Sequence, residues 1–162
     1  MRIGLNATCL NNRPSGAKQR FVGIYGELVR QMPNDEFVVF EPADCRMASW
    51  FSGASNVSIR RTPLPSEGRV ARFAAGLGYW RSALEREPLD VFESFNMPLV
   101  TSQSARNVMT IHDVRGLRSG GNPVARMLFA RMLGAACARA DQVITVSEAV
   151  KQEVLELSLI HI

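Results

Sequence analysis

A histidine and an aspartate follow directly on a short apolar segment of the chain. After Asn107, the short apolar run Val-Met-Thr-Ile is rich in β-branched residues, which is typical of a buried strand in a parallel sheet, and His112 and Asp113 come next. In open α/β sheets, ligands bind beyond the carboxyl ends of the strands. An imidazole there can donate or accept a hydrogen bond near neutral pH, and the carboxylate can orient it. His112 and Asp113 are therefore the candidate catalytic pair, and the alternative is that both only serve the backbone.

Three further candidates lie where the first predicted strand leads into the first predicted helix, Gly16 before the helix and Lys18 and Arg20 at its start. Gly16 would let the backbone approach a ligand closely, and the helix amino end offers unpaired N–H groups and a positive dipole. Lys18 and Arg20 could add positive charge for an anionic ligand. The chain has neither the G-x-G-x-x-G nor the Walker A spacing, so a turn glycine and a solvated first helical turn are the alternatives.

Strand-like and helical patterns alternate along the chain and position these residues. Strands are predicted at residues 2–8, 37–40, 56–60, 89–93, 107–112 and 141–146, and helices at 17–31, 68–87, 123–139 and from 147 to 156. In the second helix, Phe73, Leu77, Trp80 and Leu84 are predicted to form one apolar face. The alternation predicts an α/β fold, a Rossmann-like doubly wound parallel sheet with helices on both faces.

Length and composition narrow the class of protein. A chain of 162 residues with 46% hydrophobic residues fits one globular domain with a real core. The net charge of +4 favours anionic small partners, but no basic run points to nucleic acid. The three cysteines are far apart in sequence, so we expect a reducing cytoplasm and no metal site. No apolar run approaches the roughly 18 residues that span a bilayer.

Three blocks of sequence, in this order, resemble the amino-terminal, acceptor-side domain of family 4 glycosyltransferases, which have the two-domain GT-B fold. The first block is residues 14–21, Pro-Ser-Gly-Ala-Lys-Gln-Arg-Phe, with Tyr25 downstream. The second is residues 89–96, Leu-Asp-Val-Phe-Glu-Ser-Phe-Asn, followed by residues 110–114, and the third is residues 139–148, Arg-Ala-Asp-Gln-Val-Ile-Thr-Val-Ser-Glu. The resemblance covers nearly the whole chain up to Glu156.

The resemblance implies an activity and a role for each candidate. It implies a retaining transfer of a sugar from a nucleotide diphosphate sugar to a hydroxyl of a glycan or lipid-linked acceptor, in polysaccharide, glycolipid or cell-envelope glycan synthesis. It implies neither a metal nor another cofactor. Gly16, Arg20 and Lys18 would contact the donor diphosphate, and His112 with Asp113 would lie close to the transferred sugar.

Two more residues are acceptor-side candidates on the same resemblance. Glu93 is predicted at the end of the fourth strand, where it could contact an acceptor or solvent, and Asn96 follows it. Many relatives carry a histidine where this chain has Glu93. This departure leaves the acceptor specificity open.

The carboxyl end of the chain does not continue the preceding helical pattern. Residues 157–162, Leu-Ser-Leu-Ile-His-Ile, resemble a translated adapter from a sequencing library, and a genuine helix end is the alternative. We therefore expect a family 4-like domain at 1–156, a non-native tail at 157–162 and an absent donor-binding domain. Such a fragment alone would be inactive.

The second predicted helix also carries arginines beside aromatic residues. A basic aromatic helix can rest on an anionic surface, so peripheral contact at the inner face of the membrane is an expectation. The alternative is a core role for the aromatics and solvation of the arginines. The residues concerned are Arg69, Arg72, Arg81, Arg86, Phe73, Tyr79 and Trp80.

Two other functions are open for the whole chain. The alternative is a non-enzymatic module that binds a nucleotide or a phosphorylated metabolite, and a sugar-nucleotide epimerase is a third possibility.

Overall fold

The computed structural model describes residues 1–95, 100–114 and 123–159 of the chain. The strands are β1 (Arg2–Asn6), β2 (Glu36–Glu41), β3 (Val57–Arg61), β4 (Val91–Phe95), β5 (Arg106–Ile111) and β6 (Gln142–Thr145). The helices are α1 (Gly16–Gln31), α2 (Arg69–Arg86), α3 (Pro123–Arg139) and α4 (Glu148–Leu159), with a short 3-10 helix at Ala48–Phe51. Every predicted strand and helix is present, and α4 runs on through Leu159.

The six strands form one sheet in the order β3-β2-β1-β4-β5-β6, and each described pair is parallel. The chain runs outward from β1 to β3 and then crosses back to β4 beside β1. This reversal creates a crevice at the carboxyl ends of β1 and β4, where doubly wound folds bind ligands. The prediction of a Rossmann-like parallel sheet is confirmed.

Both faces of the sheet are buried, which is why its central strands are nearly continuous apolar runs. On one face, α1 packs Phe21, Tyr25 and Val29 into a cluster with residues of β1 and β2. On the opposite face, α2 packs Trp80 and Leu84 in a second cluster. A third cluster joins β5 to α3 and α4.

Strand β4 lies two residues later in the chain than the sequence pattern indicates. Leu89 packs over Gly4 of β1, where an added Cβ would come within 2.5 Å of the Leu89 side chain. The Asp90 carboxylate accepts the Arg2 backbone N–H at 2.6 Å. These contacts place Leu89 and Asp90 ahead of the strand and put Glu93 at its centre rather than at its end.

The buried face of α2 differs from the predicted one. Trp80 and Leu84 are buried as expected, but Phe73 is 38% exposed and Leu77 is 68% exposed. The buried line instead runs through Arg72 and Gly76, the latter being a glycine whose Cβ would lie 3.1 Å from the Trp80 ring. Apolar periodicity does not predict this line, because neither arginine nor glycine is a typical apolar core residue.

None of the described helices is long and apolar enough to cross a membrane.

Candidate active site

The predicted catalytic pair stands at the carboxyl edge of the sheet. His112 and Asp113 follow β5 directly, and β5 pairs with β4. On the other side of β4, β1 runs into the loop that leads to α1. The fold thus brings the start of α1, the centre of β4 and the end of β5 to one region of the crevice.

Ser15 and Gly16 form the amino end of α1. The Ser15 hydroxyl accepts the Lys18 backbone N–H at 3.1 Å, which caps the helix. Gly16 is not one of the described glycines with a positive φ, and an added Cβ there would meet nothing within 4 Å. The fold itself does not require glycine at this position. Open space lies beside the backbone, as a closely approaching ligand would need.

Lys18 and Arg20 point to different surroundings. The Lys18 ammonium donates to the Asn12 carbonyl at 3.2 Å and stands 4.7 Å from the centroid of the Trp50 ring. Arg20 follows Gly16 by four residues and therefore shares its side of the helix, whereas Lys18 does not. Within residues 1–95, 100–114 and 123–159, no hydrogen bond or ion pair engages the Arg20 guanidinium.

Glu93 is buried beneath α1, at 6% exposure. The Tyr25 hydroxyl donates to its Oε2, and the Thr110 hydroxyl donates to its Oε1 at 2.7 Å. Burial raises the pKa of the Glu93 carboxyl, against the Thr110 hydrogen bond and the charge of Arg20, which lower it. The predicted strand-end position of Glu93 is therefore wrong, and the alternative of a contact with solvent is excluded by its burial. Its contact with an acceptor stays a prediction.

His112 is half-buried, and Arg20 acts on it as well. Burial lowers the pKa of its imidazole, and the charge of Arg20 lowers it further, while Asp113 raises it. At neutral pH the ring is therefore neutral, with one nitrogen donating and the other accepting. A neutral imidazole of this kind can hydrogen-bond a sugar hydroxyl in either sense. Asp113 itself is exposed, so its carboxylate can reach solvent or a ligand.

Two residues of this region carry no predicted site role. Tyr25 belongs to the apolar stripe of α1, and Thr110 to the apolar run of β5, so periodicity assigns both to the core. The one available sign was a hydroxyl on each side chain, which must find a partner when buried. Asn96, the other acceptor-side candidate, lies outside the described residues.

A comparison with protein families decides the assignment of the chain. A family model described as Glycosyltransferase Family 4 matches residues 25–161. The chain belongs to glycosyltransferase family 4. None of the curated proteins matches it. The family 4 match includes β2 to α4 but begins after Gly16 and Arg20. The assignment of these two residues to the site therefore depends on the structure and on the sequence block at residues 14–21.

The surroundings of Glu41 distinguish this glycosyltransferase domain from dinucleotide-dependent enzymes of similar architecture. In those enzymes an acidic residue about 20 residues after the glycine motif binds the ribose. Glu41 ends β2 but is 2% exposed, and its carboxylate accepts from Arg46 at 3.0 Å and from the Met47 backbone N–H at 2.9 Å. These contacts fix the following loop and argue against the epimerase alternative.

The described surface also has a polar depression beside the loop between β1 and α1. Its volume is about 480 Å³, and it borders Asn11, Asn12, Arg13, Pro14, Asp44, Ser66 and Glu67. The Ser66 hydroxyl donates a hydrogen bond to Asp44 there, and Arg13 forms an ion pair with Glu67. In the part of the chain that the structure describes, no group of three or more His, Cys, Asp or Glu side chains is arranged to hold a metal ion. Metal independence stays a prediction.

Proposed function

We propose that this chain is the amino-terminal, acceptor-side domain of a retaining glycosyltransferase. The enzyme moves a sugar from a nucleotide diphosphate sugar to a hydroxyl of a glycan or lipid-linked acceptor, in polysaccharide, glycolipid or cell-envelope glycan synthesis. Membership of family 4 supports the binding of a sugar donor and an acceptor in general. The finer proposal is supported by the topology, which brings the start of α1, with Gly16 and Arg20, and the end of β5, with His112, to the same edge of the sheet.

The two side chains fit the two parts of such a donor. When the bond between the anomeric carbon and the diphosphate oxygen breaks, negative charge grows on the diphosphate. The Arg20 guanidinium and the N–H groups at the start of α1 are preorganised donors for that charge, with Gly16 allowing close approach. His112 binds a sugar hydroxyl as a neutral donor or acceptor, and Asp113 orients the ring. None of these steps needs a metal ion.

We further propose that a second domain supplies most donor contacts, so the 162-residue chain alone transfers no sugar. The test begins with the source DNA beyond the codon for Glu156. If the frame continues into a second α/β domain, the longer protein is assayed with a panel of nucleotide diphosphate sugars. Transfer that His112→Ala reduces about tenfold, the loss of one hydrogen bond to the sugar, would support the proposal.

The alternative is a non-enzymatic module that binds a nucleotide or phosphorylated metabolite. It predicts that the 162-residue chain binds a nucleotide tightly in calorimetry and that no sugar donor is used. A stop codon after Ile162 in the native DNA, together with tight binding, would favour this alternative. Transfer by the 162-residue chain itself would contradict the proposed division of labour between two domains.

We also propose that the enzyme works in the cytoplasm, at the inner face of the membrane. Val70, Phe73 and Leu77 recur at three- and four-residue spacing along α2, and all three are exposed. Arg81 is also exposed on this helix. An apolar line with nearby arginines suits an anionic lipid surface that presents lipid-linked acceptors.

A further inference from the structure

Three loops meet at the polar depression beside the start of α1. They follow the carboxyl ends of β1, β2 and β3, which are neighbours in the sheet. The volume of about 480 Å³ lies within the range of about 300–1,000 Å³ that small-molecule sites occupy. Pro14 borders the depression, and Gly16 follows it closely in the chain. The depression therefore adjoins the place where we put the donor diphosphate.

Side-chain contacts join the three loops and hold the depression in shape. Asn11, after β1, donates to Oε1 of Glu67, after β3, at 3.1 Å, and the Arg13 guanidinium forms an ion pair with the same oxygen at 2.8 Å. Ser66 donates to Asp44, after β2, through its backbone N–H at 2.9 Å and its hydroxyl at 3.0 Å. A site that is already ordered loses less conformational entropy when a ligand binds.

A buried arginine of α2 also fixes Ser66. Arg72 is 6% exposed, and its guanidinium donates to the Ser66 backbone carbonyl. Ser66 is buried as well, so it links Arg72 to the Asp44 carboxylate. Asp44 itself is exposed. The buried arginine thus helps to orient a carboxylate that a ligand can reach.

The polar groups of the depression suit the hydroxyl groups of a sugar. Each Asp44 oxygen accepts one hydrogen bond from Ser66 and has a second lone pair, so two neighbouring hydroxyls can donate to the same carboxylate. Hydrogen bonds to an ionised acceptor are roughly twice as strong as those between neutral groups. The Asn12 amide also borders the depression and can both donate and accept.

The charges of the depression favour an uncharged sugar over a phosphorylated one. The described lining contains two carboxylates, Asp44 and Glu67, and one guanidinium, Arg13, which is paired with Glu67. Arg61 and Arg72 contact the same loops through backbone carbonyls and are not among the described residues that border the depression. A phosphate bound there would stand beside the negative charge of Asp44, which lowers affinity.

We propose that the polar depression binds two neighbouring hydroxyls of an uncharged sugar on the acceptor side of the reaction, and that Asp44 determines this specificity. Ser66 and Arg72 are positioning residues that hold the Asp44 carboxylate. The inference rests on the proposed function for the identity of the bound sugar as the acceptor. It narrows the acceptor to one whose bound part is a sugar without phosphate.

NMR titrations of the 162-residue chain test the sugar site. The probes are the methyl α-glycosides of glucose, galactose and mannose, which present different pairs of neighbouring hydroxyls, and the 1-phosphates of the same sugars. A methyl glycoside should shift the Ser66 backbone amide and the Asn11 and Asn12 side-chain amides. Asp44→Asn keeps an acceptor for the Ser66 N–H and should weaken this binding about tenfold.

The preference between the two kinds of probe separates specificity from a structural defect. Asp44→Asn removes the repelled charge, so binding of a sugar 1-phosphate at the depression should strengthen relative to the glycoside, whereas a distorted site would lose both. Ser66→Ala removes one of the two donors to Asp44 and should weaken glycoside binding by a smaller factor, about threefold. Glu85→Gln, an exposed α2 glutamate that does not border the depression, is the matched control and should change nothing.

Three results would overturn the proposal. The first is that no methyl glycoside shifts the Ser66, Asn11 and Asn12 signals. The second is equal glycoside binding by the wild-type chain and a folded Asp44→Asn variant. The third is a wild-type chain whose depression binds a sugar 1-phosphate more tightly than the corresponding glycoside.

Pyrophosphate added to the same samples keeps this inference separate from the proposed function. If glycosides bind at the depression but pyrophosphate does not shift the amides at the start of α1, the sugar site stands and the diphosphate role fails. If pyrophosphate shifts those amides and no glycoside binds at the depression, the sugar site fails and the diphosphate role stands.

Discussion

Tyr25 of α1 donates its hydroxyl to the carboxylate of Glu93 at the centre of β4, across 68 residues of sequence. Thr110 of β5 donates to the other oxygen of the same carboxylate. One acidic group thereby ties the first helix to two adjacent strands beneath the crevice. Because a well-packed apolar group would be a more stable occupant of this place, the buried carboxylate suggests a function beyond folding.

Glu93→Gln should stabilise the domain at neutral pH. Burial raises the pKa of the folded carboxyl above its ordinary value of 4.5. Between that value and the raised one, the folded chain holds more protons than the unfolded chain, so stability falls as pH rises through this window. Glutamine has nearly the same shape and no charge. We expect a gain on the order of 1 kcal/mol in the free energy of unfolding at neutral pH.

Urea unfolding over a range of pH checks this expectation. The gain should shrink towards zero below the ordinary carboxyl pKa of 4.5, where both states are protonated. Thr110→Val is the informative companion, because it leaves one carboxylate oxygen without its donor. It should cost about 1–3 kcal/mol at neutral pH. A Glu93→Gln gain that is equally large at acid and neutral pH would contradict the electrostatic explanation.

His112 should shape the stability profile in the opposite direction. Its folded pKa is lowered from the ordinary 6.5, mainly by burial, so the folded chain binds fewer protons than the unfolded chain. The corresponding stability is present above 6.5 and is lost as pH falls through the folded pKa. Unfolding of wild type and His112→Gln from about pH 8 to about pH 5 measures this loss. The variant should lack that slope, and identical profiles would show that His112 titrates normally.

The strand end and the helix start that carry the site were predictable from the sequence, because both depend on local patterns. The apolar run ending at Ile111 fixed His112 at a strand end, and the break at residues 11–16 fixed Gly16 at the start of α1. Parallel pairing then brings such ends to the same edge of the sheet. None of these steps requires knowledge of which side chains touch.

The contacts themselves depend on geometry that a one-dimensional pattern does not contain. Glu93 was predicted at a strand end but lies at the buried centre of β4, because the contacts of Leu89 and Asp90 place these two residues before the strand. The buried face of α2 includes Arg72 and Gly76. The apolar pattern did not predict this, because neither arginine nor glycine contributes an apolar side chain to it. In both cases tertiary packing determined the observed arrangement, and the local pattern does not contain that packing.

Gly16→Ala should weaken anion binding without harming the fold. A Cβ at Gly16 meets no protein atom, so the folded chain accommodates it. The same methyl would stand in the open space where we place the donor diphosphate. We expect pyrophosphate binding, measured by NMR titration of the amides of α1, to weaken several-fold, about 1 kcal/mol. The melting temperature should not fall.

Gly26→Ala is the matched control within the same helix. Gly26 also has open space for a Cβ, and it lies in the helix interior. The substitution should raise the free energy of unfolding by about 0.5–1 kcal/mol and leave pyrophosphate binding unchanged. Equal binding by the two variants would mean that Gly16 is only a permissive position at the helix start.

Replacing both Phe73 and Leu77 by serine should reduce binding to vesicles that contain anionic phospholipid. Each of these exposed α2 side chains would gain about 1.5–3 kcal/mol by full burial in an apolar medium, so losing both should weaken sedimentation with vesicles more than tenfold. The free energy of unfolding should change little. The control replaces the exposed Val124 and Leu128 of α3 by serine and should retain vesicle binding. Equal losses of vesicle binding in the two double variants, or a wild-type protein that does not sediment with the vesicles, would rule out α2 as the membrane contact.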